Sequence, residues 1–351
     1  MDHYLGIDIG GSKCAVILAE QESCVGEVPE TSRPKPRIIS KEKVPTRDEQ
    51  SAKAQSAGTV STPSETISGL LALARSMLER EGLTFADIRA VGVSCGGPLD
   101  AERGIILSPP NLPGWEEVSI TATIKQETGR PAYLQNDANA GALAEWQWGA
   151  GRGCKNLIFL TFGTGFGGGI ILDGRLYSGT NHMAGEIGHV RLAEYGPAGY
   201  GKPGSVEGFC SGGGIGQIAW TEITALMQRG EKPPSWASFE TPQELSRSIT
   251  AKTVCEAAAA GDPLACHILE MSGTYLGRAL AILVDILNPE RIILGSVYFR
   301  CSAYLEPAMR RILEAEALPR ALEACSIVPS ELGEELGDYA GIGAATTGYN
   351  G

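Results

Sequence analysis

The sequence lacks features that mark several large classes of protein. Its 29 basic residues are outnumbered by 41 acidic ones, and the net charge of −12 leads us to expect no nucleic acid and no membrane surface as partner. No charged and then apolar leader opens the chain, and no apolar run is long enough to cross a bilayer. We therefore expect a cytoplasmic protein. None of the nine cysteines falls in a C-x-x-C pair, which predicts free, mostly buried thiols rather than a zinc or redox motif.

The composition is that of a globular protein. At 351 residues, with 43% hydrophobic and 20% charged residues, the chain can form two packed domains or one large α/β domain. Early hairpins followed by alternating strands and helices favour α/β units on mixed sheets. Strands are predicted near 4–9, 14–19, 37–44, 88–94, 132–136, 156–162, 169–172, 291–295 and 325–329, and helices near 64–81, 138–149, 211–228, 253–260, 264–287 and 302–316. The Ser- and Ala-rich stretch 47–63 is predicted to be a flexible excursion.

The most informative segment is LGIDIGGSK, residues 5–13. An apolar strand carrying Asp8 turns through Gly10-Gly11 into Ser12-Lys13, and a second apolar strand follows. Glycines let backbone N–H groups approach an anion, and a carboxylate beside an anion is favourable only with a cation between them. The segment is therefore either a magnesium–nucleotide turn or a tight hairpin with a buried Asp. The Walker spacing is absent.

Two further patterns match common motifs in part. Residues 163–168, GTGFGG, fit the dinucleotide fingerprint G-x-G-x-x-G, but a strand rather than a helix follows, which favours a second phosphate-binding hairpin. Residues 92–96, GVSCG, fit the nucleophile elbow of serine hydrolases around Ser94, but turn residues rather than a helix follow. A hydrolase stays open as an alternative, because His189 and several acids lie downstream.

Two other segments carry polar side chains that could serve chemistry or ligand binding. Asp137 follows Asn136 at a strand–helix junction, where it is either an N-cap or a general base. Glu186 and His189 are three residues apart, and Glu207 adds another acceptor. Each of these groups can accept one sugar O–H, although an irregular, glycine-rich surface loop is the alternative.

Taken in order, these segments resemble the motifs of the ROK-family sugar kinases. The resemblance runs from residue 4 to about 296 through DIGGSK, VSCGGPLD, SPPNLPGW, LQNDANAGALAEW, FLTFGTGFGGGI, AGEIGH, VEGFCSGGG and IILGS. It implies an actin-like ATPase, ribonuclease H-like fold of two α/β domains around a cleft, with ATP on one side and a hexose on the other. We expect an N-terminal domain of residues 1–135 plus 338–351 and a C-terminal domain of residues 136–337.

The resemblance also implies roles for individual residues. Asp137 would be the general base, and Asp8 would hold Mg²⁺, through water. The residues that would face ATP are Gly10, Gly11, Ser12, Lys13, Thr164, Gly165, Gly212, Gly213 and Gly295. Those that would bind the sugar are Gly97, Asn111, Asn136, Asp137, Glu186, His189 and Glu207.

The chain departs from the family pattern in one clear way. Many members carry three cysteines that bind zinc with the histidine, whereas this chain has Ala198, Tyr200 and Ser205 at or near those places. Only His189 remains, so we predict no zinc. Two smaller departures are Ser12, where the family usually has Thr, and the run after Gly295, where it often has further glycines.

The expected activity is that of an ATP- and Mg²⁺-dependent hexose kinase acting on the 6-hydroxyl, with glucose as the first expectation. N-acetylmannosamine, N-acetylglucosamine and fructose are alternative substrates. A non-catalytic sugar-binding protein is the alternative from another class, since the family includes repressors. Because the DxGG motif begins within a few residues of Met1, we expect no helix-turn-helix domain of the repressor kind. A homodimer is the family expectation.

Overall fold

The computed structural model describes residues 1–23, 33–46, 62–237 and 248–348. The strands are β1 (Asp2–Ile9), β2 (Lys13–Gln21), β3 (Arg37–Pro45), β4 (Ile88–Cys95), β5 (Leu99–Asp100), β6 (Ile105–Ile106), β7 (Val118–Ser119), β8 (Ala132–Asn136), β9 (Leu157–Phe162), β10 (Phe166–Leu172), β11 (Arg175–Tyr177), β12 (Ala198–Gly199), β13 (Lys202–Pro203), β14 (Arg291–Leu294) and β15 (Ser326–Pro329). The α-helices are α1 (Pro63–Arg80), α2 (Ile120–Thr128), α3 (Asp137–Trp148), α4 (Val206–Cys210), α5 (Gly212–Gln228), α6 (Ala251–Ala259), α7 (Pro263–Leu287), α8 (Ser296–Glu316), α9 (Pro319–Glu323) and α10 (Leu336–Thr347).

The chain divides into two compact units. The first unit consists of Met1–Lys155, Gly169–Ala184 and Glu334–Gly351, and the second of Asn156–Gly168 and Gly185–Gly333. This division differs from the expected boundary at residue 135, because it assigns residues 136–155 and 169–184 to the first unit. The packing of α3 against α10 gives the reason. The rings of Trp148 and Tyr339 lie 5.8 Å apart, and the Thr346 hydroxyl donates to Gln147 Oε1 at 3.1 Å.

A five-stranded mixed sheet forms the centre of the first unit. Its order is β3-β2-β1-β4-β8, with β1, β2 and β3 paired antiparallel and β1, β4 and β8 parallel. Helix α1 begins at a capping box between Thr62 and Glu65, and its apolar stripe is buried in the same core as the sheet. Helix α10 lies close on the sheet, since a Cβ at Gly92 would come within 2.0 Å of the Gly341 carbonyl oxygen.

The second unit is built on parallel strands and long helices. Strands β9, β14 and β15 pair parallel, in the order β10-β9-β14-β15, and β10 continues into the first unit, where it pairs with β11. Helix α7 is capped by Asp262, which accepts from the Ala265 N–H at 2.9 Å, and ends at Asn288 in the left-handed conformation. Its buried residues and those of α8 supply much of this unit's core.

Two cysteines differ from the sequence-based prediction. Cys255 on α6 and Cys301 on α8 form a disulfide with a Cα–Cα distance of 5.8 Å, so the prediction of free thiols is wrong for this pair. The 46-residue separation hides the pairing from a search for short spacings, because packing of two helices creates it. Cys14, Cys95, Cys154 and Cys210 are buried thiols outside any disulfide, as predicted.

The predicted strands and helices are otherwise confirmed to within a few residues, except at the start of α8, which begins at residue 296 rather than 302. Strands β5–β7 and β11–β13 and helices α2, α4, α9 and α10 lie outside the predicted ranges. Residues 47–61 of the predicted excursion lie outside the described residues. No helix in the described part of the chain is long and apolar enough to cross a membrane.

Candidate active site

The carboxyl ends of three neighbouring strands carry the candidate residues of the first unit. Asp8 near the end of β1 lies opposite Ser94 of β4, and Cys95 of β4 lies opposite Asn136 of β8. Because parallel strands end at the same edge of a sheet, Asp8 and the Asn136-Asp137 pair share that edge, with β4 between them. The register therefore brings the predicted metal holder and the predicted base to one place.

The turn between β1 and β2 is tightly hydrogen-bonded. The Gly10 N–H donates to the Lys13 carbonyl at 3.1 Å, and the Ser12 carbonyl accepts from the Thr46 N–H at 3.0 Å. The side chains of Ser12 and Lys13 are exposed. A Cβ at Gly11 would lie 2.8 Å from Asn111 Cβ, so glycine allows the turn to approach the loop that carries Asn111.

Asp8 lies in an acidic environment. Burial, and after it the nearby carboxylates of Asp137 and Asp338, together raise the pKa of its carboxyl to about 6. A hydrogen bond from Ser94 and the charge of Lys43 act in the opposite direction. Asp338 itself forms an ion pair with Lys41. The proton affinity of Asp8 is thus raised by desolvation and by two neighbouring acids. A bound cation would reduce the energetic cost of ionising Asp8.

Ser94 has a structural partner that a hydrolytic serine would not use. Its side chain is 1% exposed and its hydroxyl hydrogen-bonds to the Asp8 carboxylate. Strand β5, not a helix, follows the cis Gly97–Pro98 peptide. The geometry of a nucleophile elbow is therefore missing here, and the hydrolase alternative loses its support.

The N-cap role that the sequence left open at Asp137 belongs to Asn136. Asn136 is the N-cap of α3, since its Oδ1 accepts from the Ala138 N–H at 2.9 Å. Asp137 is the first helical residue, and one carboxylate oxygen also accepts from Ala138 at 2.8 Å. The Asp137 side chain reaches solvent, yet the protein around it desolvates the carboxylate and raises its pKa. The backbone at Gly97 lies against Asn136, because a Cβ there would be 3.1 Å from Asn136 Nδ2.

The second unit gathers its five predicted nucleotide residues around the end of β9. The Gly212 N–H donates to the Gly163 carbonyl at 2.8 Å, and the Gly213 N–H donates to the Thr164 carbonyl at 3.4 Å. These two hydrogen bonds join the turn that carries Thr164 and Gly165 to the N-terminus of α5. The Gly295 N–H donates to Leu160 at 2.9 Å. A glycine turn beside a helix N-terminus is a favourable environment for phosphate oxygens.

A pocket of about 690 Å³ lies next to this turn. Besides Thr164, Gly212 and Gly213, its lining includes side chains that had no sequence signal. The most prominent are Trp220 on α5, Lys252 on α6 and Arg300 on α8, and the Trp220 side chain is 41% exposed. Three separate helices contribute them, so no motif of fixed spacing could have predicted the set.

The predicted sugar residues of the second unit lie around one short turn. Glu186 precedes a 3-10 helix, Ile187–His189, and its carbonyl accepts from the His189 N–H at 3.1 Å. Glu207 Oε2 accepts from the Phe166 N–H at 3.0 Å. A Cβ at Gly188 would be 3.4 Å from Glu207 Cβ, so the turn and Glu207 are in contact. Glu207 thus links the sugar segment to the second glycine turn, a role that the sequence did not indicate.

Hydrogen bonds organise the segment around Ala198 and Ser205, for which we predict no zinc. Ser205 Oγ accepts from the Gly199 N–H at 3.2 Å and from the Gly208 N–H at 3.1 Å. Gln217 exchanges two hydrogen bonds with the Ala198 backbone, at 2.9 and 2.8 Å. Lys202 Nζ donates to the His189 carbonyl at 2.7 Å. In the described ranges no group of three or more His, Cys, Asp or Glu side chains could hold a metal ion. The absence of zinc remains a prediction.

The fold and these two turns define a class of protein. A ROK family model matches residues 40–346, and the chain belongs to the ROK family. Its fold is the actin-like ATPase fold of the ROK sugar kinases.

Three relatives illustrate the range of the family. The chain is 30% identical to a glucokinase of Halalkalibacterium halodurans over 340 residues, which covers 96% of this chain and 93% of that protein. It is similar to the structure of a ROK family glucokinase from Streptomyces griseus in complex with glucose and AMPPNP, with 27% identity, a TM-score of 0.72 and coverage of 98% and 99%. It is also 28% identical over 266 residues to the DNA-binding transcriptional repressor Mlc of Escherichia coli, covering 75% of this chain and 62% of the repressor.

Proposed function

We propose that this protein is an ATP-dependent sugar kinase that phosphorylates the 6-hydroxyl of a hexose, with glucose as the first candidate. The observation that carries the proposal is the placement of Asp8 and Asp137 at one sheet edge beside the glycine turn 10–13. Kinase relatives at about 30% identity support it.

The residues around Asp8 fit a magnesium ion. Mg²⁺ prefers oxygen ligands and keeps several of its waters, so one or two carboxylates plus substrate phosphates suffice. Asp8 is a desolvated carboxylate with two acidic neighbours. A bound divalent cation would lower the energy of this cluster of negative charges. Asp8 would hold the ion, through water. When bound, the ion neutralises charge on the phosphate oxygens.

Asp137 acts as the general base in this proposal. Its carboxylate accepts the proton of the sugar hydroxyl as that oxygen attacks the γ-phosphorus. Because desolvation raises the pKa of Asp137, the carboxylate is a stronger base than an ordinary surface acid. Its hydrogen bond to the Ala138 N–H fixes one oxygen and orients the other. The N-cap bond from Asn136 holds the first turn of α3 in place.

The proposed nucleotide contacts fall in two sets. In the first unit these are Gly10, Gly11, Ser12 and Lys13. In the second they are Thr164, Gly165, Gly212, Gly213 and Gly295. The pocket beside the second turn offers the Trp220 ring for a base and the cations of Lys252 and Arg300 for phosphate oxygens. Positioning by these groups would supply most of the rate acceleration.

The proposed sugar contacts also fall in two sets. Asn111, Asn136 and the Gly97 backbone belong to the first, and Glu186, His189 and Glu207 to the second. All of these groups suit hydroxyls that glucose, N-acetylmannosamine, N-acetylglucosamine and fructose share. A single added or missing group changes binding by only ~1–3 kcal/mol, so these sugars stay candidates. We also propose that the protein is a cytoplasmic homodimer. Light scattering of the purified protein tests whether it is a dimer.

A non-catalytic sugar-binding protein is the second candidate, because a xylose repressor and an N-acetylglucosamine repressor are also relatives. The two functions differ in what they require of Asp137. A binding protein needs the carboxylate only as a hydrogen-bond acceptor, which asparagine can replace. A kinase needs it as a base, which asparagine cannot replace.

An ADP-release assay over glucose, N-acetylmannosamine, N-acetylglucosamine and fructose tests the proposal. We expect turnover with at least one sugar and a loss of about 10²–10⁴-fold in kcat for Asp137→Asn, with the affinity for ADP unchanged. Glu127→Gln, an exposed carboxylate on α2, is the matched control and should keep full activity. Sugar binding without turnover in the wild-type protein would instead identify a binding protein.

A further inference from the structure

Thr46 contacts the first glycine turn from outside it. It is the residue directly after β3, and it is only 6% exposed. Its hydroxyl donates to the Gly10 carbonyl at 2.6 Å, and its N–H donates to the Ser12 carbonyl at 3.0 Å. One residue therefore binds both ends of the turn. Within the turn, the Gly10 N–H donates to the Lys13 carbonyl at 3.1 Å.

Cys14 completes a short chain of hydrogen bonds. Its sulfur lies 3.3 Å from Thr46 Oγ1, and both groups are buried. Burial raises the pKa of the Cys14 thiol, so the sulfur keeps its proton and can donate it. Because the Thr46 hydroxyl gives its own proton to the Gly10 carbonyl, its oxygen is free to accept from Cys14. The chain runs from thiol to hydroxyl to carbonyl.

The orientation of the Gly10–Gly11 peptide follows from this contact. In a planar trans peptide the carbonyl and the following N–H point in opposite directions. Fixing the Gly10 carbonyl toward Thr46 therefore directs the Gly11 N–H away from Thr46. Two consecutive glycines have little intrinsic preference for one backbone conformation, so an external contact is needed to select one.

We propose that Thr46 is a positioning residue that orients the turn 10–13 for the phosphates of the nucleotide. The proposal rests on the proposed kinase function, since it assigns that turn to the phosphates. Thr46 acts through Gly10 and Ser12 and touches no substrate. The competing explanation is that Thr46 only stabilises the β-sheet end, in which case nucleotide parameters would not depend on its hydroxyl.

Two substitutions at Thr46 separate these explanations. Thr46→Val keeps the shape and the backbone N–H but removes the hydroxyl, whereas Thr46→Ser keeps the hydroxyl. Thr128→Val on α2 is the control. The Thr128 hydroxyl also donates to a backbone carbonyl, that of Ile124 at 2.7 Å, but it lies away from the turn. Each valine variant loses one hydroxyl-to-carbonyl bond of similar geometry.

We expect Thr46→Val to lower kcat/KM for ATP roughly five- to tenfold, the equivalent of one lost hydrogen bond, with the KM for the sugar unchanged. Thr46→Ser should restore most of it, and Thr128→Val should match the wild type. Equal kcat/KM for ATP in the two valine variants would overturn the proposal, as would failure of serine to restore it. If the wild-type protein has no turnover, the kinase proposal fails on its own. Calorimetric affinity for MgADP in the same variants then decides the role of Thr46.

Discussion

Removing the charge of Asp8 should stabilise the protein in the absence of metal and nucleotide. Asp8 is partly buried and faces the carboxylates of Asp137 and Asp338, so its ionised form is unfavourable in the folded state. In Asp8→Asn the side chain keeps its shape and can still accept the Ser94 hydroxyl. The substitution should therefore remove the electrostatic cost without opening a cavity.

The size of the effect follows from the pKa of Asp8. Its folded value is about 6, against an ordinary 3.8. At 1.36 kcal/mol per pKa unit, ionised Asp8 destabilises the folded state by about 3 kcal/mol. Because the folded pKa is the higher one, this cost is absent below the unfolded value, grows between the two and is complete above pH 6. At pH 5 about half of it should be present.

Urea unfolding in EDTA at pH 8 and pH 5 measures this dependence. We expect Asp8→Asn to exceed the wild type in free energy of unfolding by about 3 kcal/mol at pH 8 and about half as much at pH 5, while kinase activity is lost. Asp87→Asn is a control of opposite sign, since hydrogen bonds from Thr84 lower the pKa of Asp87. An Asp8→Asn protein no more stable than the wild type at pH 8 would refute the electrostatic reasoning.

Two further predictions concern the second unit. Reducing the Cys255–Cys301 disulfide should lower its free energy of unfolding by up to about 4 kcal/mol, the loop-closure entropy of a 46-residue loop, and Cys301→Ser should make the urea midpoint insensitive to reductant. An unchanged midpoint on reduction would contradict this. Because we predict that the segment around Ala198 and Ser205 holds no zinc, a zinc chelator should leave the KM for the sugar unchanged. Gln217→Ala should raise that KM, because the two hydrogen bonds to Ala198 are lost. Near-stoichiometric zinc in the purified protein would contradict the prediction that this segment holds no zinc.

Much of the fold was accessible from the sequence because its elements carry strong local signals. Helix α7 has an Asp-Pro start and an Asn-Pro end, and its bounds at 263–287 differ by one residue from the prediction. The β1–β2 hairpin follows from a glycine pair between apolar runs. Helix α10 is different, since LGDYAGIGAATT has small residues on every side and no polar face to set a period.

The candidate site divides in the same way. Residues in glycine turns and at strand ends, such as Asp8, Thr164 and Asp137, could be proposed from the sequence because local chemistry marks those places. Thr46 and Trp220 were not, because their roles depend on contacts that the fold creates. The disulfide was missed for the same reason, since two helices 46 residues apart in sequence must first pack side by side.

The cost of the acidic cluster is itself an argument about function. Asp137 and Asp338 raise the energy of ionised Asp8, and a chain selected only for stability would replace Asp8 with a neutral side chain. Ser94 and Lys43 reduce the cost at Asp8 but leave its pKa near 6. Below that pH, protons compete with any cation for the carboxylate, so Mg²⁺ affinity should fall as the pH drops through 6. Kinase activity that stayed constant from pH 8 to pH 5 at limiting Mg²⁺ would mean that Asp8 does not hold the ion.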